Sequence, residues 1–193
     1  MGETVMRDLS LHLLDIVQNS LKAGASRIEI RIDADTVRDR LSIDVIDNGC
    51  GMSEAFLSKV TDPFTTSRTT RSVGLGVPLF REAATITGGS FDIDSTVGVG
   101  TRLRAEFVIS SIDRLPIGDM ADTLTGLVLS DPARTYVIAF SAGDKRFDLD
   151  LDEVRQELID VPLNDPNVLD WLQSLIREQQ CTIFGGVLYE VSC

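Results

Sequence analysis

Four short segments of this chain hold residue types that could handle a phosphorylated ligand. Asp15, Asn19 and Lys22 are four and three residues apart, so on a helix they share one stripe. An acid, a neutral amide oxygen and an ammonium on one stripe can serve a water, a magnesium ion and a phosphate. Magnesium takes few protein oxygens beside waters and phosphate oxygens, and an Asn amide suits it. Taken alone, the stripe reads first as a solvated helix face. In Ile46-Asp47-Asn48-Gly49-Cys50-Gly51-Met52 an apolar run ends in a carboxylate, and two glycines allow tight turning and close backbone approach. A carboxylate placed there can accept a hydrogen from an amino group such as that of adenine, although Asn-Gly is also a common turn dipeptide. Gly74-Leu75-Gly76 precedes a helical pattern, where free amides and the helix dipole favour an anion. Thr65, Thr66, Ser67, Arg68 and Arg71 lie just upstream, in a stretch that reads as a mobile loop able to fold over a ligand. Gly98-Val99-Gly100-Thr101 is the fourth segment, and by itself it reads as a hairpin turn.

The elements that must position these residues follow from periodicity. Leu9, Leu13, Leu14, Ile16, Val17 and Leu21 fall on one face of a helix. His12, Asp15, Gln18, Asn19 and Lys22 fall on the other, with Gly24 as the expected C-cap. Residues 27–32 and 41–46 alternate as two half-buried strands joined by a polar connection over 33–40. A short helix is expected over 53–60 with Ser53 at its N-cap. A second helix runs from Gly74-Leu75-Gly76, with Pro78 in its first turn, to Gly88-Gly89, and strands follow over 90–95 and 101–108. Beyond Ile109 the pattern predicts a helix over 119–129, a hairpin over 135–149, and helices over 152–159 and 167–179. Residues 182–191 read as a strand or as irregular chain.

Of the 193 residues 43% are hydrophobic, enough for a core, and no apolar run approaches the length of a membrane span. The opening MGETVMRDLS has neither a signal peptide's regions nor a complete myristoylation signal, so a cytoplasmic location is expected. Cys50, Cys181 and Cys193 have unrelated spacings and His12 is the single histidine, so reduced thiols are expected, with neither a zinc site nor a disulfide framework. A formal net charge of −12 argues against nucleic acid as partner. The acid is concentrated in the C-terminal third, which reads as a solvated face, with a basic partner as the alternative.

In order and spacing the four segments resemble the N, G1, G2 and G3 boxes of the Bergerat-fold (GHKL) ATPases, over roughly residues 9–108. The stretch from Asp15 to Ser26 looks like the N box of mismatch-repair ATPases. Asp62-Pro63-Phe64-Thr65-Thr66 and Gly74-Leu75-Gly76 look like the F and G2 boxes of histidine kinases, as does a lysine three residues after Asn19. The resemblance implies that Asn19 coordinates magnesium, and that Asp47 accepts the adenine amino hydrogen with Thr101 near the base through water. It implies that Gly49 and Gly51 let the backbone border ATP. Lys22, Arg68 or Arg71, and the amides around Gly74, Leu75 and Gly76 would hold its phosphates. Asp15 stands where hydrolysing members carry a Glu that activates water, and it is one methylene shorter. General-base help typically contributes about 10²–10⁴-fold, so a displaced base implies slow hydrolysis.

The expected fold is a two-layer α/β sandwich, a mixed and mostly antiparallel sheet with helices on one face. Residues 1–110 would form the ATP-binding domain, and 111–193 a small α/β C-terminal extension packed on it and extending its sheet. The expected function is an Mg-ATP-binding regulatory module with slow ATPase activity; the alternative is a protein kinase acting on a separate protein. A complete histidine kinase is not expected, since its phosphoacceptor hairpin normally precedes the N box and only a few residues do so here. A protein partner is expected, without nucleic acid or membrane, and a homodimer is left open.

Overall fold

The computed structural model describes residues 8–61, 76–188 and 190–191. In the N-terminal half the order is α1 (Leu9–Lys22), β1 (Arg27–Asp35), β2 (Arg40–Asp47), α2 (Glu54–Thr61), α3 (Gly76–Ile86), β3 (Ser90–Thr96) and β4 (Gly100–Val108). After a connection come α4 (Met120–Ser130), β5 (Thr135–Ala142), β6 (Lys145–Asp150), α5 (Leu151–Leu158) and α6 (Pro166–Phe184). The strands form one sheet in the order β3-β4-β2-β1-β5-β6. Every neighbouring pair is antiparallel except β1 and β5, which run parallel from Arg27↔Thr135 to Ala34↔Ala142. The result is the expected two-layer sandwich with a mixed, mostly antiparallel sheet.

Alternation along the strands decides which face is covered, because successive side chains point to opposite sides. Ile28, Ile30, Ile32 and Ala34 of β1 are buried, and the register aligns them with Tyr136, Ile138, Phe140 and Ala142 of β5. Phe80 of α3 packs on Phe107, and Phe184 of α6 packs on Phe140, with ring centroids 5.6 and 5.4 Å apart. Both contacts lie on this one face. The opposite face carries charge: Asp92, Arg104, Asp44 and Arg31 stand in one cross-strand row. Asp44 is only 7% exposed there, bridged by Arg102 at 2.9 Å and Arg104 at 3.5 Å.

The C-terminal part does not stand apart. Its β5 continues the sheet from β1, and the connection that leads to α4 is bound to the start of α1 by Leu9 N–H donating to the Pro116 carbonyl at 2.9 Å. Arg114, its side chain fully buried, donates two hydrogen bonds to the Glu190 carboxylate at 2.6 and 3.0 Å. The region expected to be a strand or irregular begins inside α6, which runs to Phe184, and the only bridge beyond it among the described residues is Gly185↔Leu188. The thiol expectation also changes: Cys181 takes part in a disulfide, whereas Cys50 is a free and exposed thiol.

Candidate nucleotide site

Helix α1 begins where the Asp8 carboxylate accepts the Leu11 N–H at 3.1 Å and the Ser10 hydroxyl at 2.7 Å. It ends at Ala23, with Gly24 following at φ +77, one residue beyond the cap as the left-handed position requires. The Ala23 carbonyl then accepts the Cys50 N–H at 2.9 Å, tying the end of α1 to the loop after β2. Asn48 strengthens that tie, since its side-chain oxygen accepts from the Ser26 and Arg27 N–H groups at 2.9 Å each. On the far side of the loop, Gly98 N–H donates to the Cys50 carbonyl at 2.8 Å, and Met52 N–H to Ser95 Oγ at 2.8 Å. The loop is therefore sewn to α1 on one side and to the β3–β4 hairpin on the other.

These bonds fix Asp47. Its Oδ1 accepts the Gly49 N–H at 2.8 Å and its Oδ2 accepts the Ser20 hydroxyl at 2.7 Å. A carboxylate offers about four acceptor sites, so capacity remains for an amino group from a ligand. Thr101 is Asp47's register partner on β4, and its Oγ1 lies 2.9 Å from Ser95 Oγ. Asp47 and Thr101 line a cavity of 470 Å³, within the range of small-molecule sites. Its walls are largely apolar, from Ile16 of α1 and Val45 of β2 to Met52, Phe56, Val77 and Ile93. Asn19, Lys22 and Gly51 line it too. Neither the Asn19 amide nor the Lys22 ammonium has a hydrogen-bond or ion-pair partner among the described residues. A flat apolar base with one amino group, followed by an anion and a hard cation, fits this set of groups.

The two glycines near Asp47 are demanded first by protein neighbours. A Cβ on Gly49 would lie 2.9 Å from both Ala23 Cβ and Asp47 Oδ1, and Gly49 does not line the cavity. Gly51 sits at φ +64, and a Cβ there would meet the Thr96 carbonyl oxygen at 2.0 Å. Asp15 also lies outside the cavity lining. It abuts the first residue of α3, where a Cβ on Gly76 would come 2.8 Å from Asp15 Cβ and 3.1 Å from its Oδ2. Thus Asn19, Lys22, Asp47, Gly51 and Thr101 meet in one cavity, Gly49 backs it, and Asp15 and Gly76 form a pair beside it. Arg68, Arg71, Gly74 and Leu75 lie outside the described residues.

His12 departs from its expected place on the solvated stripe. It is 3% exposed and stacks on Phe80, with ring centroids 5.6 Å apart, and its buried Nδ1 has no hydrogen-bond partner among the described residues. Burial pushes its pKa below the ordinary histidine value, against the opposing pull of Asp15 and Asp8. The stripe of α1 is therefore divided: Asn19 and Lys22 face the cavity, and His12 belongs to the core between α1 and α3. Ser20 and Ser95 are the residues that sequence reasoning missed. Ser20 follows Asn19 directly, and its bond to Asp47 spans 27 residues, so only the folded geometry reveals it.

Comparison with known proteins agrees with this geometry. Residues 5–111 match the family model described as "Histidine kinase-, DNA gyrase B-, and HSP90-like ATPase". Sensor histidine kinase YxdK of Bacillus subtilis is 33% identical over 100 residues, covering 48% of this chain and 30% of that protein. DNA mismatch repair protein MutL of Pelotomaculum thermopropionicum is 30% identical over 148 residues, covering 69% of this chain and 23% of that protein. The chain thus spans less than a third of the length of either relative. A solved structure described as the N terminal domain of a DNA repair protein superposes with a TM-score of 0.53 at 16% identity, covering 76% of this chain and 53% of that one, a likeness of fold alone. No helix among the described residues is long and apolar enough to cross a membrane. Because the matched segment makes up more than half of the chain and contains the whole cavity, the chain belongs to the histidine kinase-, DNA gyrase B- and HSP90-like ATPase family.

Proposed function

We propose that this chain is an Mg-ATP-binding module, a nucleotide-dependent regulatory protein with slow ATPase activity. The observation that carries the reading is the Asp47 carboxylate, held by Ser20 and Gly49 at the edge of an apolar cavity that also presents Asn19 and Lys22, both without a partner among the described residues. In this reading Asp47 accepts the adenine amino hydrogen and Thr101 serves the base through water, while the apolar walls exclude solvent from the ring. Asn19 would hold magnesium by its amide oxygen, and the metal would neutralise phosphate charge. Lys22 supplies a cation for the phosphates, and the N-terminus of α3 supplies amides and a positive dipole end. Arg68, Arg71, Gly74 and Leu75 are assigned to the phosphates as well. A cytoplasmic location, where ATP is available, goes with this reading.

Slow turnover follows from Asp15. Its carboxylate stands against the start of α3, where the phosphates are assigned, but it is one methylene shorter than the Glu of hydrolysing members, so a water bound beside the phosphates meets a base of shorter reach. The same observation supports the second reading, a protein kinase on a separate protein, since a phosphoryl group that water attacks poorly is available to a side-chain acceptor. Calorimetric titration with Mg-ATP, followed by assay of released phosphate, tests both. The expected result is binding with slow phosphate release, and Asp15→Asn keeps the binding while release falls. Binding without release moves the account to the kinase reading, and absence of binding refutes both.

A further inference from the structure

Four exposed apolar residues of the C-terminal part lie at the end of α4, in the connection from α5 to α6, and early in α6. Ile159 is 85% exposed, Leu129 57%, Trp171 49% and Val161 43%. Arg177 donates to Asp119 and Gln173 to Asp122, which sets α6 antiparallel to α4. Leu129, near the C-terminus of α4, therefore lies level with the first turns of α6, where Trp171 sits. Ile159 caps α5 at φ +54 and ψ −84, a conformation that a β-branched residue adopts only under constraint.

Carboxylates are dense in the same stretch of chain. Between Phe147 and Ile176 the chain carries eight acids and one base, Arg155. That base is engaged internally, pairing with Asp152 and donating to the Pro132 and Arg134 carbonyls at 3.1 Å each. Asp150 and Asp165 cap α5 and α6. Glu153, Glu157, Asp160 and Asp170 are exposed and have no ion-pair or hydrogen-bond partner among the described residues. Exposed apolar side chains interleaved along the chain with four exposed carboxylates call for an occupant with apolar and cationic side chains together. A second copy, at net charge −12, would add repulsion, and nucleic acid or an anionic bilayer would do the same.

We propose that this face docks a basic amphipathic helix of a partner protein. The apolar side of that helix covers Trp171, Val161, Ile159 and Leu129, and its Lys and Arg side chains meet Glu153, Glu157, Asp160 and Asp170. The surface stands apart from the nucleotide cavity, so failure of either assignment leaves the other intact.

Trp171 is the chain's single tryptophan and one of the four apolar residues, so its fluorescence reports occupancy directly. The probe is a synthetic helical peptide of about 18 residues, long enough for five turns, with leucine on one side and lysine on the other. It is expected to shift Trp171 emission to shorter wavelength. Neutralising the carboxylates with Glu153→Gln, Glu157→Gln, Asp160→Asn and Asp170→Asn is expected to weaken binding about tenfold or more. Ile159→Ser with Val161→Ser weakens it too, and circular dichroism checks that both variants stay folded. Matched peptides of leucine with glutamate, or of serine with lysine, are expected to bind at least tenfold more weakly than the first. Equal binding by either control, unchanged affinity in the neutralised variant, or an unmoved Trp171 emission overturns the proposal. So does an equal emission shift with phosphatidylserine-containing vesicles, which would assign the patch to a membrane.

Discussion

Ser20→Ala removes one of the two donors that hold Asp47. The lost hydroxyl donates to Oδ2 at 2.7 Å, and the remaining donor is the Gly49 N–H at 2.8 Å on Oδ1. Ser20 is 5% exposed, so the vacated space is walled by protein except toward the cavity. A hydrogen bond to a charged group contributes about 1.5–3 kcal/mol to stability. Asp47 borders the cavity, and a water entering there can replace part of the bond, so a loss of about 1–2 kcal/mol is expected in urea denaturation. The affinity for Mg-ATP is expected to fall about five- to tenfold, or about 1 kcal/mol, because Oδ2 no longer has a fixed direction. Urea denaturation and calorimetric titration on one preparation give both numbers. Unchanged affinity, whatever happens to stability, would refute the positioning role given to Ser20.

Two further perturbations test the frame around the site. Glu190→Ala removes the carboxylate that takes two hydrogen bonds from the fully buried Arg114 guanidinium and is expected to cost about 3–5 kcal/mol by chemical denaturation. Adding Arg114→Met to that variant should recover much of the loss, and no recovery would mean that the pair does not fasten residues 109–119 to the chain's end. His12 is held neutral by burial, with its pKa below the ordinary value, so the unfolded chain binds more protons than the folded one as pH falls. Its contribution is fully present above about pH 6.5 and is lost as pH drops below that value. His12→Leu should flatten the stability curve between about pH 7 and 5, measured by thermal unfolding, whereas an unchanged slope would assign the acid sensitivity elsewhere.

Most elements could be read from the sequence because their burial is periodic. The alternation at 27–32 and 41–46 and the hairpin over 135–149 all reappear as strands, and the apolar stripe of α1 is buried where expected. Periodicity shows which side of an element is covered but not what covers it. That is why the eight-residue parallel register between β1 and β5 and the 76-residue span from Arg114 to Glu190 appear only in the folded chain. His12 was misplaced because a polar residue on a polar stripe gives no sign that Phe80 will stack on it. The site residues Asn19, Lys22, Asp47 and Thr101 were legible through the spacing of four segments. Ser20 and Ser95 were not, since a serine beside a functional residue has no distinguishing pattern. The glycine spacing at 49 and 51 was legible, while its main cause, close approach of Ala23 and of the Thr96 carbonyl, is a tertiary fact.

In the proposed reading Asp47 accepts the amino hydrogen of adenine. Asp47→Asn is isosteric, and its amide can still accept from Gly49 N–H and donate to Ser20 Oγ, so the loop should keep its shape. The decisive measurement is calorimetric titration of wild type and Asp47→Asn with Mg-ATP and with Mg-ITP, whose base carries an oxygen in place of the amino group. Wild type is expected to bind ATP at least tenfold more tightly than ITP, and Asp47→Asn to lose ATP binding and with it that preference. Equal binding of ATP by Asp47→Asn and wild type would contradict it.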